Sequence, residues 1–211
     1  MTDKLRNVNF HNFLTAVLAG ICISFGGMAF LSASSPLGAI LFSFGLCCVI
    51  VFKLKLFTGM AGIVKFTSKD ILNLLIALLG NIIGCFIAAH VVAVDSLLPI
   101  QENAQAVIEA RMTAGFVRCF FLAIGCGFIV DMSVRSAKEN KWAILLLGIP
   151  TFILCGFPHC IADAFYMSCA PIEFMLENSV TIFVNYFAIV LGNFVGCNFY
   201  RIFTSFATSD K

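Results

Sequence analysis

The chain has 211 residues, of which 61% are hydrophobic and only 11% charged, with a mean hydropathy of +1.02. No soluble domain of that length can bury so much apolar side chain, so a soluble globular fold is excluded and the surplus must face lipid. The formal net charge of +2, with no basic run interleaved with aromatics, gives no ground for a nucleic-acid partner.

A hydrocarbon core of about 30 Å takes about 20 apolar residues per helix. The sequence offers six such stretches, at 12–31, 37–65, 71–94, 112–133, 142–168 and 180–203, which predict one all-α membrane domain over 1–211. The first follows a polar segment and has no small-residue cleavage site, so it reads as a retained span. The second is too long for an unbroken crossing and is interrupted at Leu56-Phe57-Thr58-Gly59. The third carries Gly80-Asn81-Ile82-Ile83-Gly84-Cys85. The fourth carries Arg118 at membrane depth. The fifth is again too long and is interrupted at Gly156-Phe157-Pro158-His159. The sixth carries Gly192-Asn193-Phe194-Val195-Gly196-Cys197.

The matching signatures of spans three and six mark an internal repeat. Three spans separate the copies, so the halves, 12–94 and 112–203, must enter the membrane from opposite sides, as inverted repeats. Gly-x-x-x-Gly spacing in both copies lets helix backbones approach closely in lipid. Each half also holds one broken helix, the second and the fifth. Unwound backbone at membrane depth is tolerated only where it is buried in protein or lines a cavity, and paired breaks point to a transport site whose helix N-termini suit an anion.

Lys4, Arg6, Lys65, Lys69, Arg135, Lys138, Lys141, Arg201 and Lys211 fall on one side of these spans, whereas Arg111 alone falls on the other, with Asp95, Glu102, Glu109, Glu173 and Glu177. The positive-inside rule places both termini in the cytoplasm of a cell bounded by this inner membrane. Lys53, Lys55 and Arg118 remain at membrane depth, where a cation is costly and needs a partner or a path to the interface. Lys53 reads as a side chain that snorkels. Asp163, read as the one acid inside a span, is the expected partner of Lys55 or Arg118. His159, next to a Pro at a helix break, reads as a pore residue, and His11 and His90 as interfacial. The ten Cys lie in or beside apolar stretches with no Cys-x-x-Cys pair, so they read as packing residues, and no metal or cofactor is implied.

Leu56-Phe57-Thr58-Gly59, the Gly-Phe-x-His-x-x-Ala run at 156–162 and the two Gly-Asn copies resemble the formate/nitrite transporter family over nearly the whole chain. That resemblance implies an aquaporin-like protomer in a homopentamer with one pore per protomer. It also implies that His159 meets Thr58 between an outer constriction at Phe42 and Phe152 and an inner one at Leu46, Leu56 and Phe57. The chain departs from the family pattern in a cluster. Pro158 stands where the family has Glu, Asp163 where it has Asn, Arg118 or Cys119 where it has a mid-span Asn, and Lys53-Leu54-Lys55 where it has small and acidic residues; no counterpart is evident among 101–111 for its outer Lys.

The resulting expectation is a channel or proton-coupled transporter for a small monovalent weak-acid anion, with formate first and hydrosulfide, nitrite, acetate and lactate behind it. A bare charge crosses a ring of Phe and Leu only at high cost, whereas a neutral acid does not, and an imidazole with an ordinary pKa of about 6.5 suits the exchange. A neutral-solute channel for water, ammonia or urea is disfavoured by the cations at membrane depth and the absence of paired Asn-Pro-Ala boxes. A membrane redox enzyme would want facing His ligands or a reactive Cys pair, so no enzymatic role is expected.

Overall fold

In a computed structural model of the chain, residues 2–33, 35–62, 67–91 and 100–208 are described, with 2–8 and 206–208 as backbone alone. Lys65, Asp95 and Lys211, and the side chains of Lys4 and Arg6, therefore lie outside the described residues, as do the ends of the second and third predicted spans. Helices are the regular structure of the described residues: α1 (Thr2–Ser32), α2 (Ser35–Val51), α3 (Phe57–Ala61), α4 (Ser68–Val91), α5 (Ile100–Lys138), α6 (Trp142–Leu154), α7 (Cys160–Cys169), α8 (Ile172–Glu177) and α9 (Ser179–Thr208). Four of these helices contain stretches long and apolar enough to cross a bilayer, at Asn9–Ser32, Ser68–Val91, Ile100–Lys138 and Ser179–Ser205. Ser35–Val51, Trp142–Leu154 and Cys160–Cys169 are shorter apolar helices. Large apolar side chains such as Phe44, Leu75, Leu147, Phe183 and Phe187 are exposed on the outside, as expected of an integral multi-pass membrane protein.

Both long stretches are broken: in the fifth the break is at 155–159, over the expected Gly156-Phe157-Pro158-His159, whereas in the second it is at 52–56, just before the expected site, so that Phe57, Thr58 and Gly59 already lie in α3. Helix α2 ends in a Schellman cap, with the Lys53 amide donating to Ile50 O at 3.1 Å and the Leu54 amide to Val49 O at 2.8 Å. Helix α6 ends the same way, with Gly156 N on Ile153 O at 2.9 Å and Phe157 N on Phe152 O at 3.0 Å. The cap requires a left-handed residue, which is Gly156 (φ 71°) in one half and Lys53 (φ 54°) in the other. A few extended residues later the chain re-enters helix as α3 and α7.

The fourth predicted span begins earlier than expected. Helix α5 starts at Ile100 and leaves helical geometry at Gly115 (φ 71°, ψ 173°), so the segment before 115 forms a separate outer piece and the segment after it the crossing.

The sequence repeat is matched contact for contact. Gly84 lets α4 pass so close to α1 that an added Cβ would overlap Val17 O, and Gly196 does the same for α9 against Ile124 O of α5. Asn81 donates to Ala16 O and Lys55 O, both at 2.8 Å, and accepts from the Phe57 amide at 2.9 Å. Asn193 donates to Ala123 O at 2.9 Å and Pro158 O at 3.0 Å and accepts from the Cys160 amide at 2.8 Å. Each buried Asn thus ties the residues on either side of a helix break to a neighbouring full-length helix. That satisfies backbone groups which unwinding would leave unpaired in an apolar interior.

Candidate functional site

The two helix breaks meet at one point. His159 is the N-cap of α7, and its Nδ1 accepts the Ala162 amide at 3.2 Å. Its Nε2 lies 3.0 Å from Thr58 Oγ1, in the first turn of α3, and both residues are buried. An Nδ1 that accepts a backbone N–H carries no proton, so the neutral ring bears its hydrogen on Nε2 and donates to Thr58. The Thr58 hydroxyl hydrogen is then free to point elsewhere. A proton on Nδ1 and the helix cap are mutually exclusive, which couples the ionisation of this ring to the first turn of α7.

The cysteines of the repeat hold this junction from behind, each reaching into the opposite half. Cys85 on α4 donates its thiol to Ile161 O at 3.3 Å, and Cys197 on α9 donates to Thr58 O at 3.3 Å. The packing role expected from sequence is therefore incomplete for these two. The position of Cys in both copies of the Gly-Asn signature was the available signal.

Apolar side chains flank the pair. Phe42 and Phe152 meet edge to face at 6.1 Å between ring centroids, and Phe152 stacks on the His159 ring at 5.9 Å. Leu46, Leu56 and Phe57 are each at most 3% exposed. Beyond them lie two cavities. One, called outer after the side that the positive-inside rule predicts, is about 150 Å³ and is lined by Phe152, His159, Arg111 and Asp163 among others. The inner, about 510 Å³, is lined by Lys53, Lys55, Leu56 and Lys138 among others.

The expected charge pairing is corrected. Asp163 pairs with Arg111, at 3.1 Å from Nε to Oδ2, and with neither Lys55 nor Arg118. Arg118 is exposed on the outside of α5 while Cys119 is buried. The cause is Gly115: by leaving helical geometry it ends the outer piece of α5 and resets the phase of the crossing helix. Arg111 O, which a continuous helix would bond to the residue 115 amide, instead accepts from Cys119 Sγ at 3.3 Å and Asn185 Nδ2 at 3.0 Å. The Arg111 guanidinium also donates to Gly156 O at 3.0 Å, so one side chain joins the end of α6 to the start of α7. Lys55 lines the inner cavity, held in place through its carbonyl by Asn81.

Asp163 is not the sole buried acid either. Asp131 on α5 is 4% exposed and pairs with Arg135 at 2.7 Å, and Arg135 donates to Gly62 O at 2.9 Å, at the end of α3. Arg111 and Arg135 thus each clamp the glycine carbonyl at one end of a half-helix. The i, i+4 spacing of Asp131 and Arg135 was legible in the sequence; the Arg111 contact was not, because it depends on the break at Gly115.

The model of the formate/nitrite transporter family matches residues 1–206. The chain belongs to the formate/nitrite transporter family. Among individual relatives it is 29% identical over 156 residues to the uncharacterized transporter YrhG of Bacillus subtilis, covering 66% of this chain and 59% of that protein. It is 25% identical over 194 residues to the formate channel FocA of Haemophilus influenzae, covering 78% and 68% respectively. The chain thus spans less than two thirds of the first of these relatives. In fold it matches a pentameric formate channel with formate bound at TM-score 0.82 and 22% identity, over 98% of this chain and 99% of that one.

Proposed function

We propose that this chain is one protomer of a membrane channel or proton-coupled transporter for a small monovalent weak-acid anion, with formate as the first candidate. The observation that carries the proposal is the Thr58–His159 contact at 3.0 Å, made by two half-helices pointed at each other between an aromatic and an aliphatic closure. Relatives named as formate channels and a fold neighbour with formate bound support the choice of cargo. In this reading the chain makes six crossings, counting α2 with α3 and α6 with α7 as one broken crossing each, in a single domain of two inverted halves. Both termini face the cytoplasm, the membrane is the inner one, five copies form the ring, and the chain performs no covalent chemistry.

The site residues then divide the work. The vestibule lysines draw an anion toward the inner mouth, where it keeps part of its water. Phe42 with Phe152, and Leu46 with Leu56 and Phe57, exclude the bare charge. Between them the Thr58 hydroxyl, whose oxygen already accepts from His159 Nε2, donates to an oxygen of the anion. That contact passes a proton to the anion only from the doubly protonated ring, since a neutral ring that gave up its Nε2 hydrogen would be left as an imidazolate; Nδ1 must therefore take a proton first, and it can do so only by releasing the Ala162 amide. Protonation of the cargo is thereby linked to the α7 cap.

Flux of labelled formate, nitrite, hydrosulfide and urea into liposomes bearing the purified protein, from pH 5 to 8, tests the proposal. Formate uptake that rises as pH falls and exceeds urea uptake by at least tenfold is expected. Urea passing as fast as formate contradicts it, and fastest passage of hydrosulfide or nitrite changes the cargo while leaving the class intact. Native mass spectrometry in detergent should show five subunits; a stable monomer or dimer rules out the ring.

A further inference from the structure

The inner cavity carries more positive charge than a monovalent cargo requires. Lys53, Lys55 and Lys138 line its volume of about 510 Å³, and among the described residues no Asp or Glu lines it. The outer cavity, about 150 Å³, holds Arg111 already neutralised by Asp163. Among the described residues, the three inner lysines have no carboxylate within ion-pair distance, since Asp131 is engaged by Arg135 and Glu139 by Lys141.

The backbone adds an independent observation. Among the described residues, the non-glycine residues with positive φ are Lys53 (φ 54°) and Asn140 (φ 62°), and both line this cavity. Lys53 occupies the Schellman position that Gly156 fills in the mirror half. A lysine there is strained relative to glycine, and strain of this kind collects at functional sites. Asn140 is the corresponding cap residue of α5, with its amide on Ala137 O at 3.0 Å and the Lys141 amide on Ser136 O at 2.8 Å. Two caps thus converge on the cavity, one presenting Lys53 and the other following directly on Lys138.

We propose that the inner cavity is a binding site for a phosphate monoester dianion, which blocks conduction from that side. This rests on the channel reading for its effect but not for its chemistry. Three lysines that line one space can bring their ammonium groups onto a compact group with two charges and three acceptor oxygens. Such a ligand cannot follow the cargo inward, because a single proton leaves it charged and Leu46, Leu56 and Phe57 close the path ahead. The phosphate comes either from a free metabolite or from a lipid headgroup of the same chemistry.

The test uses glycerol phosphate as the free probe and phosphatidate as the lipid probe. Thermal unfolding in detergent reports binding without reference to conduction, and formate flux in phosphatidylcholine liposomes reports the block. Glycerol phosphate should raise the unfolding temperature and inhibit flux, with glycerol inert. Lys53→Gly preserves the cap and should weaken the apparent affinity at least fivefold, Lys53→Gly with Lys138→Met at least twentyfold, and Lys53→Arg with Lys138→Arg less than threefold. A block produced only by phosphatidate in the membrane supports the site and assigns the phosphate to lipid. Flux indifferent to both probes, with no thermal shift, overturns the site while the channel reading stands. A thermal shift that the lysine changes remove, in a protein with no formate flux, supports the site and sinks the channel reading instead. Equal inhibition of the wild type and the Lys53→Gly, Lys138→Met variant also overturns it.

Discussion

The two halves of this molecule share a scaffold and differ at their mouths. Asn81 and Asn193, Gly84 and Gly196, and Cys85 and Cys197 make the same contacts in each half, and each cysteine reaches across to the other. The broken helices end in the same cap and restart opposite each other. At the outer mouth, however, an arginine joins α6 to α7 through a buried carboxylate, and the cavity carries balanced charge. At the inner mouth the Arg135–Asp131 clamp sits behind α3, and the cavity is lined by lysines that make no ion pair among the described residues. What the halves share is the hydrogen bonding that unwound backbone demands in lipid; where that demand ends, at the vestibules, the halves are free to diverge.

If the scaffold is equivalent, Asn81→Leu and Asn193→Leu should be equally damaging. Each orphans one unwound carbonyl and one amide in the interior, since Ala16 O and Ala123 O lie inside helices and keep their helical donors, and at about 1–3 kcal/mol per group a loss of more than about 2 kcal/mol is expected. Size-exclusion profiles and thermal unfolding of the detergent-extracted protein check this, and tolerance of one change but not the other would break the symmetry.

The clamps should separate next. Asp163→Asn leaves Arg111 without its partner in a nearly dry site and should cost about 3–5 kcal/mol, which Arg111→Met restores in part. Lys55→Met and Arg118→Met should restore none of it. Asp131→Asn should cost less, about 1–2 kcal/mol, because the Arg135 side chain is 30% exposed against 18% for Arg111. Unfolding temperatures of the five variants rank these effects, and an equal loss at both clamps would remove the distinction between the mouths.

The smallest change should have the opposite sign. Lys53→Gly relieves a left-handed lysine and should stabilise the protein by about 1 kcal/mol, visible as a higher unfolding temperature. A destabilised variant would mean that Lys53 supports the fold itself.

Much of this was legible in the sequence because membrane burial makes backbone satisfaction obligatory. The paired Gly-Asn-x-x-Gly-Cys runs and, to within a few residues, the two helix breaks were readable, and the structure brings Phe42 to Phe152 and Thr58 to His159. The charge partners were not, because they depend on helical phase. One residue, Gly115, leaves helical geometry, and that turns Arg118 to the outside and Arg111 onto Asp163, a change that span-level hydropathy does not register. Asp131 escaped notice because it sits at the last turn of the predicted fourth span, where an acid reads as interfacial.

The central claim is that Thr58 and His159 act as one unit on a weak-acid anion. Its most direct test is the rate of formate uptake into liposomes for the wild type, Thr58→Val, His159→Asn and the double variant, across pH 5 to 8, with folding verified by size exclusion. Each single change should lower the rate at least tenfold and flatten its pH dependence, and the double variant should be no slower than the slower single. Rates that multiply in the double variant, or a His159→Asn protein with wild-type flux at every pH, would contradict the account.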